Sequence, residues 1–95
     1  MTVIINAIIK PKAGKEEELR KELIDVIAPS RAEAGCIQYT LHEAADQSTF
    51  VFYEIWQDEE ALQSHIETPH YKQYRENVAS LIEAREVHKL QKINQ

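Results

Sequence analysis

No apolar run in the chain approaches the ~18 residues of a membrane-spanning helix, and the N-terminus lacks the layout of a signal peptide. There is one cysteine, Cys36, so no internal disulfide can form. A reducing compartment is its simplest home, and the expected location is the cytoplasm. With no nearby helix start or base, the Cys36 thiol reads as structural. Basic residues are outnumbered, 11 against 16 acidic ones, for a formal net charge of −5. That balance offers no basic footprint to nucleic-acid phosphates or to an anionic membrane surface. Internal repeats and low-complexity stretches are absent, as are a phosphate loop, a dinucleotide fingerprint, a nucleophile elbow and a cysteine cluster. Any enzyme here works without a nucleotide-fold cofactor.

What is present fits one domain over residues 1–95. A chain of this size buries only roughly 60–65% of its unfolded surface, and dimerisation is a common supplement to so modest a core. Hydrophobic residues at 43% and charged residues at 28% argue against disorder.

The residue pattern predicts a strand over Thr2–Ile9, rich in β-branched types and ended by Lys10-Pro11-Lys12-Ala13-Gly14. A helix follows from Lys15 to about Ala34, with Leu19, Leu23, Val26 and Ile27 on one face, a kink or restart near Ala28 imposed by Pro29, and a stop at Gly35. Cys36–Glu43 alternates as a second strand, with Ile37, Tyr39 and Leu41 sharing a face. Ala44–Ser48 is short and polar, like a hairpin connection, and Thr49–Trp56 is a third strand, apolar on both faces. Asp58 caps a helix through Ala61, Leu62 and His65. Thr68-Pro69 starts another, with Tyr71, Tyr74, Val78, Leu81 and Ile82 at helical spacing. A last strand runs over roughly Ala84–Ile93.

The order β-α-β-β-α-β is the split βαβ, ferredoxin-like plan, an α+β fold with helices on one face of a four-stranded antiparallel sheet. The sheet's other face is then open. A third strand apolar on both sides does not suit water, so a second copy of the chain is the economical cover.

Alternation places Phe50, Phe52, Glu54 and Trp56 on one face of the third strand and Val51, Tyr53 and Ile55 on the other. A carboxylate beside two phenylalanines and an indole is costly unless it is paired, protonated or used. Glu54 either meets a cation from the last strand or orients or deprotonates a ligand. Asn6 shares a face with Ile4 and Ile8 and is the one strongly polar residue between Thr2 and Ile9. It either satisfies backbone or points an amide at a ligand. His65 and His70 are five apart around Pro69, poor spacing for a metal on a helix. No third convergent ligand is visible, so no metal site is expected. Tyr71 and Tyr74 suit an amphipathic core better than a substrate cradle, and His42 and His88 read as surface residues.

The stretches Arg31-Ala-Glu-Ala-Gly-Cys-Ile-Gln-Tyr39, Phe52-Tyr-Glu-Ile-Trp56, Glu60-Ala-Leu-Gln-Ser-His65 and Thr68-Pro-His-Tyr71 together resemble the antibiotic biosynthesis monooxygenase (ABM) domain, in order and spacing, across essentially the whole chain. The resemblance implies a dimeric α/β barrel with the two sheets face to face and a pocket between sheet and helices in each subunit. By analogy the pocket is lined by Asn6, Tyr39, Phe52, Glu54, Trp56, His65, His70 and Tyr71. The family includes cofactor-independent quinol or anthrone oxygenases, haem-degrading enzymes and an isomerase of a phosphorylated autoinducer-2 breakdown intermediate.

The resemblance thus implies a cofactor-free monooxygenase acting on a small quinol or polyphenol with dioxygen. His65 is the expected base, with Glu54 as the alternative. Asn6 is the hydrogen-bonding orienter, and Trp56 and Phe52 are the ring contacts. Haem breakdown does not fit, because His65 and Arg75 stand where that branch has a Trp and its axial His. The isomerase branch shares Tyr53-Glu54 and His65-Ile-Glu-Thr-Pro-His-Tyr-Lys72 with this chain. It needs cations in the pocket for a phosphate, and Lys72 and Arg75 are the local candidates. A non-enzymatic small-molecule-binding stress-response dimer is the third expectation.

Overall fold

In the computed structural model, residues 1–45 and 47–94 are described. Asp46, in the expected hairpin connection, and Gln95, the last residue of the expected domain, lie outside them. The elements are β1 (Val3–Pro11), α1 (Glu16–Asp25), α2 (Ile27–Arg31), β2 (Cys36–Glu43), β3 (Phe50–Trp56), α3 (Glu59–Ile66), α4 (Pro69–Val78) and β4 (Ile82–Leu90). Every observed pairing is antiparallel and the strand order is β2-β3-β1-β4, which is the ferredoxin-like sheet. No described helix is long and apolar enough to cross a membrane.

The helices cover one face of this sheet. Val3, Ile5, Ala7 and Ile9 of β1 and Phe50, Phe52, Glu54 and Trp56 of β3 are buried against Leu19, Leu23 and Val26 from the first helical region and Tyr74, Val78 and Leu81 from the last. The alternate residues Ile4, Asn6, Ile8, Val51, Tyr53 and Ile55 face the other way and are half-buried. This is the open, apolar face expected from the doubly apolar third strand.

Several expectations need correction. The break near Ala28 is present, with α1 ending at Asp25 and α2 restarting at Ile27 because Pro29 has no N–H to donate back to Asp25, but α2 ends at Arg31, short of the expected Ala34 and its stop at Gly35. Strand β1 runs on to Pro11, which pairs with Ile82 across an irregularity at Lys10/Pro11. That pairing captures Ile82 for β4, so α4 stops at Val78 and β4 begins and ends earlier than expected. Strand β2 carries a bulge: Cys36 pairs with Trp56 and Gln38 with Ile55, so Ile37 is the extra residue. It is thrown out of phase with Tyr39 and is 57% exposed on the open side.

Candidate active site

Each of α3 and α4 opens on a side-chain cap, and at the corner between them Thr68 Oγ1 also donates to His65 O at 2.7 Å. Asp58 Oδ1 accepts from Ala61 N–H at 2.8 Å, and Thr68 Oγ1 accepts from Tyr71 N–H at 3.2 Å, with Pro69 at the first helical position. The corner puts His65 in the last turn of α3 and His70 in the first turn of α4. The turn between α2 and β2 approaches from the other side. Its Gly35 lies so close to α3 that a Cβ there would sit 2.3 Å from Ala61 Cβ. The same turn holds Glu33, whose N–H donates to Ser30 O and whose carbonyl accepts from Cys36 N–H.

One oxygen of Glu33 joins both histidines, at 2.7 Å from His65 Nδ1 and 2.8 Å from His70 Nε2. The His65 ring lies against Trp56, centroids 4.3 Å apart, and near Tyr71 at 4.8 Å and Tyr39 at 5.6 Å. It is 1% exposed, and its Nε2 has no hydrogen-bond partner among the described residues. An ionised carboxylate can only accept, so Nδ1 carries the proton of neutral His65 and Nε2 keeps a free lone pair. Burial lowers the ring's proton affinity, and the bond to Glu33 works against that without overcoming it.

Glu54 is equally enclosed, at 6% exposure. Trp56 Nε1 donates to its Oε1 at 2.9 Å. Burial pushes its carboxyl up to about 7, while the indole hydrogen bond and the charge of Arg85 pull it down. The cation from the last strand thus acts from nearby, but the direct partner is the indole.

His65 and Glu54 both line a cavity of about 400 Å³ between sheet and helices. Ile5 and Ala7 form its floor, Leu62, Ile66 and Tyr71 its helical wall, and Arg85, Val87 and Lys89 its outer edge. The register explains that edge. Arg85, Val87 and Lys89 pair with Ile9, Ala7 and Ile5, so they share the helix-covered face. Arg85 Nη2 donates to Tyr71 Oη at 3.2 Å, and Lys89 Nζ reaches Glu59 at 2.6 Å.

The same register corrects the expectation for Asn6. It pairs with Tyr53 and His88, on the open face, so the sheet separates it from His65 and Glu54. Tyr39, Phe52 and Trp56, expected as substrate contacts, are 2%, 2% and 0% exposed. They stack behind His65 and line none of this cavity, and burial holds the Tyr39 hydroxyl far above its usual range. His70 instead lines a separate cleft with Glu22 and Asp25. Tyr71 is a wall of the cavity. Sequence reasoning missed Glu33, 32 residues from His65 in the chain. It missed Arg85 and Lys89 too, which period-two alternation on the last strand could have flagged. Burial raises the proton affinity of the half-buried Cys36 thiol, in keeping with a structural role.

A third metal-type ligand does converge, contrary to expectation. The donor atoms of Glu33, His65 and His70 all lie within 4.8 Å of one another. The contacts at 2.7 and 2.8 Å are hydrogen bonds, however, and they account for the cluster. A metal-ligating imidazole normally gives its other N–H to an acceptor, and His65 Nε2 has none. The donor set does not fit a resident ion well.

Against known sequences, residues 2–77 match the Antibiotic biosynthesis monooxygenase family. The chain belongs to this family. It is 41% identical over 71 residues to the Bacillus subtilis protein named "Putative monooxygenase YcnE", a match covering 74% of this chain and 75% of that protein. It is 33% identical over 81 residues to sll1783 of Synechocystis, where the match covers 84% of this chain but only 55% of the longer relative. Among solved structures, Rv0793 from Mycobacterium tuberculosis superposes with a TM-score of 0.93 at 33% identity, covering 100% of this chain and 98% of that one. The ABM chain therefore has the family's fold over its whole described length.

Proposed function

We propose that this ABM-family chain is a cofactor-independent monooxygenase of a small phenol or hydroquinone, with His65 as the base. One observation carries the reading. A buried histidine, one nitrogen fixed by a carboxylate and the other without a partner among the described residues, borders a cavity lined by both apolar and charged side chains. An unpaired buried nitrogen is costly unless something arrives to use it, and a phenolic O–H is a fitting donor.

His65 Nε2 takes the phenolic proton, giving an electron-rich phenolate and an imidazolium that Glu33 stabilises. The phenolate passes an electron to dioxygen, the two combine, and the peroxide formed is reprotonated from Nε2. For a hydroquinone, loss of water then leaves a hydroxyquinone, so one substrate and one dioxygen give one product and one water. The cavity wall supplies shape and keeps water from the intermediate. Glu54, near half-protonated at neutral pH by its value of about 7, is the alternative base and can also donate to the product oxygen. The working unit is a homodimer joined through the open sheet face, with no cofactor.

The test is oxygen uptake with a panel of hydroquinones and polyphenols, matched to product mass. Uptake in step with a product 14 mass units heavier, two hydrogens lost for one oxygen gained, supports oxygenation. Binding without turnover for every member of the panel sinks it and leaves a binding dimer. The isomerase reading is favoured by one observation, that Arg85 and Lys89 edge the cavity where Lys72 and Arg75 do not. Interconversion of a phosphorylated carbonyl compound under nitrogen identifies it.

A further inference from the structure

The chain carries a net charge of −5, yet the outer edge of the cavity is basic. Part of that charge is cancelled, because Lys89 Nζ lies 2.6 Å from a carboxylate oxygen of Glu59, which also lines the cavity. Arg85 is different. The lysine and arginine ion pairs among the described residues engage Lys15, Arg20, Lys21 and Lys89, and neither Arg85 nor Arg75 is in one. The Arg85 guanidinium donates instead to Tyr71 Oη, at 3.2 Å. Arg75, one turn along α4 from Tyr71, donates to that same oxygen at 3.3 Å. Two cations thus converge on a hydroxyl rather than on a carboxylate. Like charges brought together cost free energy, and an anion beside them removes that cost. With two hydrogen bonds accepted, the Tyr71 oxygen has its own O–H left to donate to a third group.

The position of this cluster relative to the base is specific. Arg85 and Tyr71 line the cavity, whereas Arg75 adds its charge from outside the wall. The Tyr71 ring lies 4.8 Å from the His65 ring, centroid to centroid, while its hydroxyl meets Arg85. One tyrosine side chain therefore spans from the base to the guanidinium, and a single substituted aromatic ring has a similar reach. Ile5, Ala7, Leu62 and Ile66 give such a ring an apolar bed in between.

We propose that Arg85 and the Tyr71 O–H form an anion seat at the edge of the cavity, and that the substrate is an acidic phenol, a hydroquinone ring carrying a carboxylate. This rests on the reading of the cavity as an oxygenase site with His65 as the base. The carboxylate takes hydrogen bonds from the guanidinium fork and the tyrosine hydroxyl, which fixes the ring in orientation as well as in place. The phenolic O–H at the other end of the ring then faces His65 Nε2.

The test is calorimetric titration of the intact protein at neutral pH with 2,5-dihydroxybenzoate and with its methyl ester, which keeps the ring and both hydroxyls but has no charge. The acid should bind more tightly by roughly 10- to 100-fold, the range for a hydrogen bond to a charged group. Arg85→Gln should remove that preference by weakening the acid and leaving the ester unchanged. Tyr71→Phe deletes only the hydroxyl and should weaken the acid selectively, a reading that does not depend on the Arg85 variant folding. Lys89→Gln removes an equal charge that Glu59 already pairs, and should leave the preference in place. Equal affinity for acid and ester in the wild type overturns the proposal, as does failure of both to bind. A preference that survives Arg85→Gln or Tyr71→Phe, or that Lys89→Gln abolishes as fully as Arg85→Gln, overturns the seat. Tighter binding of dihydroxyacetone phosphate than of the acid overturns the phenol and gives the site to a phosphorylated substrate. Failure of the oxygenase reading shows separately, as Arg85-dependent binding of the acid with no oxygen uptake.

Discussion

Trp56 and Glu54, two residues apart on β3 and on the same face, are joined by a hydrogen bond of 2.9 Å from the indole Nε1 to the carboxylate Oε1. The bond gives each buried polar group a partner within one strand. It does not offset the desolvation of the carboxylate, which is why Glu54 holds its proton up to about 7.

That imbalance makes stability depend on pH. Between its ordinary 4.5 and about 7, native Glu54 keeps a proton that the unfolded chain has released. The native state binds more protons there, so stability falls as pH rises through the window. The loss is up to about 3 kcal/mol, at about 1.4 kcal/mol for each tenfold change in proton affinity. His65 acts in the opposite sense. Its lowered affinity means the unfolded chain protonates first, so its contribution is lost as pH falls below 6.5. Glu54→Gln should remove the fall between pH 5 and 7 in urea-melt midpoints. A wild-type midpoint that rises steadily over that range contradicts the burial argument.

His65→Ala should cut turnover by roughly 10²–10⁴-fold, the range for losing a general base. His42→Ala, on an exposed part of β2, is the control and should do little. At 1% exposure His65 is part of the core, so the alanine variant should also unfold earlier. His65→Gln fills more of the space and can still bond Glu33. Loss of activity in a folded Gln variant separates chemistry from packing, and full turnover would leave Glu54 as the base to test.

Gly35→Ala should destabilise the domain by about 1–3 kcal/mol, the usual cost of overpacking, because its Cβ would collide with Ala61. The turn can yield only by backing away from α3, which lengthens the Glu33–His65 contact. The expected result is a lower melting temperature together with a changed His65 ¹⁵N shift. A variant as stable as the parent would mean that α3 is free to slide.

Sedimentation at low micromolar concentration should give twice the chain mass. Ile4, Tyr53, Ile55 and the bulged Ile37 lie together on the sheet face that no helix covers. Ile55→Glu should yield a monomer with the fold retained. A wild-type monomer at all concentrations refutes the sheet-to-sheet dimer.

The fold was legible in the sequence because its causes are local and periodic. Strand alternation and the Asp58 and Thr68-Pro69 caps each act within a few residues. Errors arose where pairing overrode pattern. Ile82 has helical spacing from Val78 but is taken into β4 by Pro11, and Ile37 continues an alternation that a bulge breaks. The sequence by itself singled out Glu54, since a carboxylate among aromatics is a local anomaly, whereas it brought His65 forward only through the family resemblance. It placed Asn6 correctly with Ile4 and Ile8. Only the tertiary structure decided that this face lies away from the histidine, that Glu33 meets both His65 and His70, and that Arg85 edges the cavity. Those relations depend on strand order and on the approach of a turn to a helix, between residues more than 30 positions apart. Periodicity fixes the face a side chain takes on its own element, but packing alone fixes which other element that face meets.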